Sequence, residues 1–173
     1  MKRINESEMI FGDYEEDVLF QIENSQLHQS FGEGIKTVEF ILADKGEKLL
    51  FVEAKKSCPN AANRNETEEK TIKYEEYYSD ITDKFNDSFQ MFLTTVLKRN
   101  MNLEGIGKKI KGKQDFSKTV FKFVLVIKNA EDIEWLAGPK AELEERLMRM
   151  RKIWKTEVVV LNETLAKEYG IVQ

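Results

Sequence analysis

The clearest alternation of apolar and polar positions lies between residues 37 and 55. Thr37-Val38-Glu39-Phe40-Ile41-Leu42-Ala43 is rich in β-branched and aromatic residues and predicts a strand. Asp44-Lys45-Gly46-Glu47-Lys48 is a tight polar turn, and Leu49-Leu50-Phe51-Val52-Glu53-Ala54-Lys55 predicts a second strand that stops at Cys58-Pro59-Asn60. Together they predict a hairpin. Residues 60–66 read as a polar linker. A long helix is expected over 67–99, because Tyr74, Tyr78, Ile81, Phe85, Phe89, Phe92 and Val96 recur at spacings of three and four.

Farther along, Asn100 to Lys118 is loop-like, with glycines at 105, 107 and 112. Thr119 to Ile127 is apolar enough for a strand covered on both faces. A helix over 139–155 would turn Leu143, Leu147, Met150 and Trp154 inward. A strand over Glu157–Leu161 and a short tail helix close the chain. The first 35 residues are less regular: Asp17 to Glu23 reads as a strand ending near Asn24, followed by a helical turn closed by Gly32 and Gly34. The order of strands, long helix, strand, helix, strand predicts a single α/β domain over 1–173, a mixed β-sheet flanked by helices. The crossover from Lys55 through the long helix to the strand at 119 is long enough to join parallel neighbours.

The hairpin carries the candidate chemistry. Glu53 and Lys55 share a face of their strand. With the turn centred on Gly46, Glu39 stands directly across from Glu53 on that face, between apolar neighbours Ile41 and Phe51. Like charges facing each other on a sheet are destabilising, and a buried charge needs a partner. A cation between the carboxylates relieves this, or Lys55 neutralises one of them. A bulge in the turn would undo the register. Two carboxylates holding Mg²⁺ or Mn²⁺ support phosphodiester hydrolysis, with an adjacent lysine to orient water or offset phosphate charge.

Composition narrows the metal chemistry. The chain of 173 residues has one histidine, His28, and one cysteine, Cys58. Zinc sites built from several imidazoles or thiolates are thereby excluded, and carboxylate ligands favour magnesium, manganese or calcium. The lone cysteine allows no internal disulfide and fits a reducing cytoplasm. No apolar run approaches the roughly 20 residues that cross a membrane, and the N-terminus lacks the apolar core of a secretory signal. Charge is uneven: residues 1–97 hold 11 Lys/Arg against 20 Asp/Glu, and residues 98–173 hold 16 against 11. Solvated helix faces account for this, or else an acidic metal-binding half lies beside a basic half that meets phosphates.

Glu39 followed by Glu53-Ala54-Lys55, on a hairpin before a long helix, resembles the PD-(D/E)XK nuclease superfamily, which includes restriction endonucleases and Holliday-junction resolvases. The likeness covers the order of elements over roughly residues 15–161, while the motif itself is three residues. Where the family usually has Asp, often after Pro, this chain has Glu39 after Val38. The resemblance implies a restriction-endonuclease-like fold and an Mg²⁺- or Mn²⁺-dependent endonuclease acting on nucleic acid, with DNA as the expected substrate. It implies Glu39 and Glu53 as metal ligands and Lys55 as the catalytic lysine. An auxiliary acidic ligand from the N-terminal segment is assigned to Glu23, ahead of Glu16. Lys84 and Ser88 flank the helical stripe on the side that could reach the site, and Lys84 is assigned to substrate. Lys108, Lys109 and Lys111 form a candidate phosphate-binding loop, against the plain alternative of a solvated loop. No membrane contact is expected, and a homodimer or larger complex is compatible with the reading. The alternative function is a nuclease-like domain that binds nucleic acid or protein without cutting.

The remaining features read as structural. His28 suits a surface or capping role, and Cys58 suits a small filler. Tyr74 and Tyr78 belong to the core stripe rather than to base stacking, and Arg146, Arg149, Arg151 and Lys152 favour a helix C-terminus.

Overall fold

The computed structural model describes residues 1–113, 115–130 and 132–173. The chain opens with a hairpin of β1 (Lys2–Glu6) and β2 (Met9–Tyr14). A five-stranded mixed sheet follows, ordered β3 (Leu19–Phe20), β4 (Phe40–Asp44), β5 (Lys48–Lys55), β6 (Val120–Ile127) and β7 (Glu157–Asn162). The first two pairings are antiparallel, and β5–β6 and β6–β7 are parallel. Helix α1 (Gln26–Phe31) lies between β3 and β4, and α2 (Glu68–Val96) crosses from β5 to β6. A short α3 (Lys108–Lys111) precedes β6. Helices α4 (Ala137–Arg146) and α5 (Met148–Trp154) cross to β7, and α6 (Glu163–Glu168) follows it. The expected mixed α/β architecture is therefore present.

Strand alternation gives the sheet two buried faces. Leu49 and Phe51 of β5, with Phe121, Phe123 and Leu125 of β6, pack under Tyr74, Tyr78, Ile81, Phe85, Phe89 and Phe92 of α2. Phe85 stacks on Phe123 with ring centroids 4.9 Å apart. Leu50, Val52, Val124 and Val126 point the other way and are covered by Ile4, Met9 and Phe11 of the hairpin and Ala166 of α6. Burial on both faces explains why β6 reads as a continuous apolar run. Helix α2 begins at Thr67, whose side chain accepts the Lys70 N–H, with Glu68 and Glu69 in the first turn where the helix dipole favours them.

Three expectations need correction. The strand expected over Asp17–Glu23 is only Leu19–Phe20, because a 3₁₀ turn at Glu16–Val18 precedes it and Ile22 leaves the sheet to be buried beneath α2. The helix expected over 139–155 begins earlier and comes as two segments, since the Leu147 backbone departs from helical values (φ −91°, ψ 13°). The expected loop 100–118 contains the single turn α3, held close by Gly107: a Cβ there would lie 2.5 Å from the Asp17 carbonyl oxygen. Gln114, within that stretch, lies outside the described residues. Among the described residues no helix is long and apolar enough to cross a membrane.

Candidate metal centre

The β4–β5 ladder is regular and pairs Phe40 with Val52, Ile41 with Phe51 and Asp44 with Lys48. The strand expected from Thr37 begins only at Phe40, and the Glu39 N–H donates to the Val52 carbonyl at 3.1 Å rather than to the Glu53 carbonyl that the expected register requires. Val38 accordingly packs in the same core as Ile41, so the register shifts by one residue at Glu39–Phe40, as in a β-bulge, and Glu39 meets Glu53 through their shared neighbour Lys84 rather than as its ladder partner. Both carboxylates are buried: Glu39 is 8 % exposed and Glu53 is fully enclosed.

Two lysines reach Glu53 from different elements. Lys55, two residues on along β5, has its ammonium 3.0 Å from Glu53 Oε1. Lys84, from the α2 flank, donates to the same oxygen at 2.8 Å and lies 3.9 Å from Glu39 Oε1. Lys84 is nearly enclosed, whereas Lys55 is 26 % exposed and also bridges to Asp80 of α2 at 3.4 Å. Glu53 Oε2 is buried with no hydrogen-bond partner. Such an orphaned carboxylate oxygen is costly unless something electropositive meets it.

Glu39 has neighbours on its open side. One oxygen each from Glu6, Glu23 and Glu39 lie within 4.8 Å of one another. Glu23 sits in the turn between β3 and α1, where Asn24 takes a left-handed conformation (φ 56°) and Ser25 caps the helix by accepting the His28 N–H. Glu6 ends β1. These three line a cleft of about 430 Å³ with Lys2, Gln21, Gln26, Glu104 and Gly105 on its rim.

The electrostatics follow from burial. Desolvation, then repulsion from Glu53 and Glu23, push the Glu39 carboxyl up to about 9. Burial also raises Glu53, against the pull of Lys55 and Lys84. Glu6 is raised by burial and by Glu23. For Lys84 burial works to lower the pKa, but Glu53, Glu39 and Asp80 together outweigh it and the ammonium is held above its ordinary value. With an all-oxygen donor set and an orphaned Glu53 oxygen, these residues fit a hard divalent ion.

The structure brings Glu23, Glu39, Glu53, Lys55 and Lys84 together as the sequence predicts. It does not bring the basic loop to them. Lys108 and Lys109 pair with Asp17 and Glu15. Lys109 lines a groove formed with the β4–β5 turn, Asp44 to Lys48, and Lys111 lines another beside Phe92 and Val96. That turn is the opposite end of the hairpin from Glu39, some 20 Å along the strand at about 3.3 Å per residue. Ser88 is buried beneath the site and accepts the Val38 N–H at 2.8 Å, a fixing role for the residue before Glu39. His28 is structural too: Nδ1 accepts the Asn24 N–H and Nε2 lies 3.0 Å from the Ile35 carbonyl. Glu6 is the site residue that sequence reasoning missed. Its signal was the apolar set Ile4, Met9 and Phe11 on either side of polar Ser7-Glu8.

Compared with protein families, characterised proteins and solved structures, the chain finds no match.

Proposed function

We propose that this chain is a divalent-metal-dependent nuclease that hydrolyses phosphodiester bonds in DNA, built on a restriction-endonuclease-like version of the mixed α/β fold. The observation that carries the reading is the buried carboxylates Glu39 and Glu53, both reached by Lys84, with Lys55 beside Glu53 and one Glu53 oxygen buried without a partner. Further support comes from the order of elements. An antiparallel hairpin bears the acidic pair, a long helix crosses over it, and parallel strands extend the sheet.

Glu39 and Glu53, with Glu23 as auxiliary, would hold Mg²⁺ or Mn²⁺, which supplies charge stabilisation at phosphorus and a more acidic bound water. Lys55 is the residue suited to the phosphate, since it is partly exposed and its ammonium is steered by Glu53 and Asp80. From there it can donate to a non-bridging oxygen as negative charge builds. Lys84 stands behind and fixes the rotamer of Glu53, so its role is positioning. The competing reading, a nuclease-like domain that binds without cutting, draws on the two lysines that already satisfy Glu53 Oε1.

Calorimetric titration of Mn²⁺ into wild type and Glu53→Ala, followed by cleavage assays on linear, single-stranded and branched DNA, separates these readings. Metal binding and metal-dependent cleavage by wild type alone are expected. Metal binding without cleavage of any substrate favours the binding module, and no metal binding by wild type sinks the nuclease reading.

A further inference from the structure

The end of α2 and the segment that follows it enclose an apolar groove with a basic rim. At the helix end the Arg99 N–H donates to the Thr94 carbonyl at 2.8 Å and the Lys98 N–H to the Thr95 carbonyl at 3.1 Å. Lys98 takes a left-handed conformation there (φ 55°). Glycine is the usual residue at that position of a helix end, because a Cβ is strained in it. A lysine fixed there points to a use for its charge. The chain then folds back along α2 through residues 101–116, which place Met101, Leu103, Ile106, Ile110 and Phe116 against the helix.

The groove has a volume of about 460 Å³, within the range of small-molecule sites. Buried Phe92, Ile106 and Ile110 line it together with half-buried Val96, Leu103 and Phe116. Met101 lines it too, although 65 % exposed. Its charged lining is of one sign: Lys98, Lys111 and Lys113, with no carboxylate. Lys113 is neutralised by Glu47. Lys98 and Lys111 are exposed and, among the described residues, form no ion pair. The Thr94 and Thr95 carbonyls, whose dipoles at the end of α2 would oppose an anion, already accept hydrogen bonds. A concave site of this size seats one small molecule, whereas a folded protein needs a broad face and a membrane needs apolar side chains that project.

We propose that this groove binds a small amphipathic carboxylate, free in solution. Its alkyl or aryl body lies on Phe92, Val96 and Phe116, and its head is held by the ammoniums of Lys98 and Lys111. The metal-dependent reading draws on none of these residues, so either can fail without the other.

The test is titration calorimetry on the full chain with decanoate and naphthoate, each below its aggregation concentration, and with decanol and naphthylmethanol as uncharged counterparts. Wild type is compared with Lys98→Glu/Lys111→Glu and with Val96→Trp, which fills the groove, and circular dichroism checks the fold. At least one carboxylate is expected to bind wild type more than about tenfold tighter than its alcohol. Charge reversal should weaken that binding by about tenfold or more, since two attractions become two repulsions. Val96→Trp is expected to abolish it; if that variant fails to fold, the charge-reversed protein decides, because both lysines are exposed. Absence of binding by either carboxylate overturns the proposal. So does equal affinity for the alcohol, and so does unaltered affinity in the folded variants, which places the ligand elsewhere. Adsorption to anionic vesicles without binding of either free carboxylate overturns it in favour of a membrane surface.

Discussion

Glu39 concentrates the conflict that defines this site, because burial and two neighbouring carboxylates all oppose its ionisation. In the metal-free protein its carboxyl titrates at about 9, whereas in an unfolded chain a glutamate titrates near 4.3. Between those values the folded state binds the extra proton. Stability is therefore greatest below the unfolded pKa and falls as pH rises toward 9. Denaturant midpoints of metal-free wild type are expected to decline across that window, with a flatter profile for Glu39→Gln. A decline of equal steepness in both proteins would show that another group is responsible. Part of the residue-scale logic was readable in the sequence: Glu53 and Lys55 share a strand face by their spacing, whereas Glu39 approaches Glu53 across a one-residue shift at Phe40 that the turn centred on Gly46 does not encode. The pairing of Lys84 with Glu53 was also within reach, since the helical stripe shows which flank of α2 turns to the sheet.

At the scale of elements, the site depends on how the chain enters β4, and Ser88 fixes that entry from α2 by accepting the buried Val38 N–H. Ser88→Ala leaves that donor unsatisfied and is expected to cost about 1–3 kcal/mol in denaturant unfolding. Mn²⁺ affinity should weaken as well, because Glu39 is the next residue. Loss of stability without any change in Mn²⁺ binding would separate Ser88 from the site. The strongly periodic elements, α2 and the β4–β5 hairpin, were legible because one pattern ran unbroken through each. The break between α4 and α5 at Leu147 was not, since Leu143 and Leu147 keep helical spacing across it and both are buried. The two-residue β3 was overread for a related reason: an apolar run cannot show that Ile22 leaves the sheet to pack beneath α2.

Across the whole molecule, one sheet serves two cores, and the N-terminal hairpin completes the one opposite α2. Phe11 is fully buried there and meets Phe40 edge-on, with ring centroids 5.5 Å apart. Phe11→Ala is expected to destabilise by about 3–5 kcal/mol. The loss should register in tryptophan fluorescence, although Trp135 and Trp154 pack on the α2 side. If the fluorescence transition stays in place while the hairpin melts, the two layers unfold separately and the sheet does not couple them.

By itself the sequence determined what short-range periodicity can carry: the hairpin pairing from Phe40 onward, the stripe of α2, the doubly buried β6, and the shared face of Glu53 and Lys55. Strand and helix periods constrain side-chain direction directly, so these features needed no long-range information. Only the tertiary structure decided that Lys108, Lys109 and Lys111 lie toward the far end of the hairpin from Glu39 and Glu53. It also decided that Glu6, 33 positions before Glu39 in the chain, closes the acidic cluster. Both outcomes depend on contacts between segments distant in sequence, the Asp17–Gly107 approach in one case and the ion pairs of Glu8 with Lys56 and Lys128 in the other. No local pattern encodes them, because each follows from how separately stable elements pack.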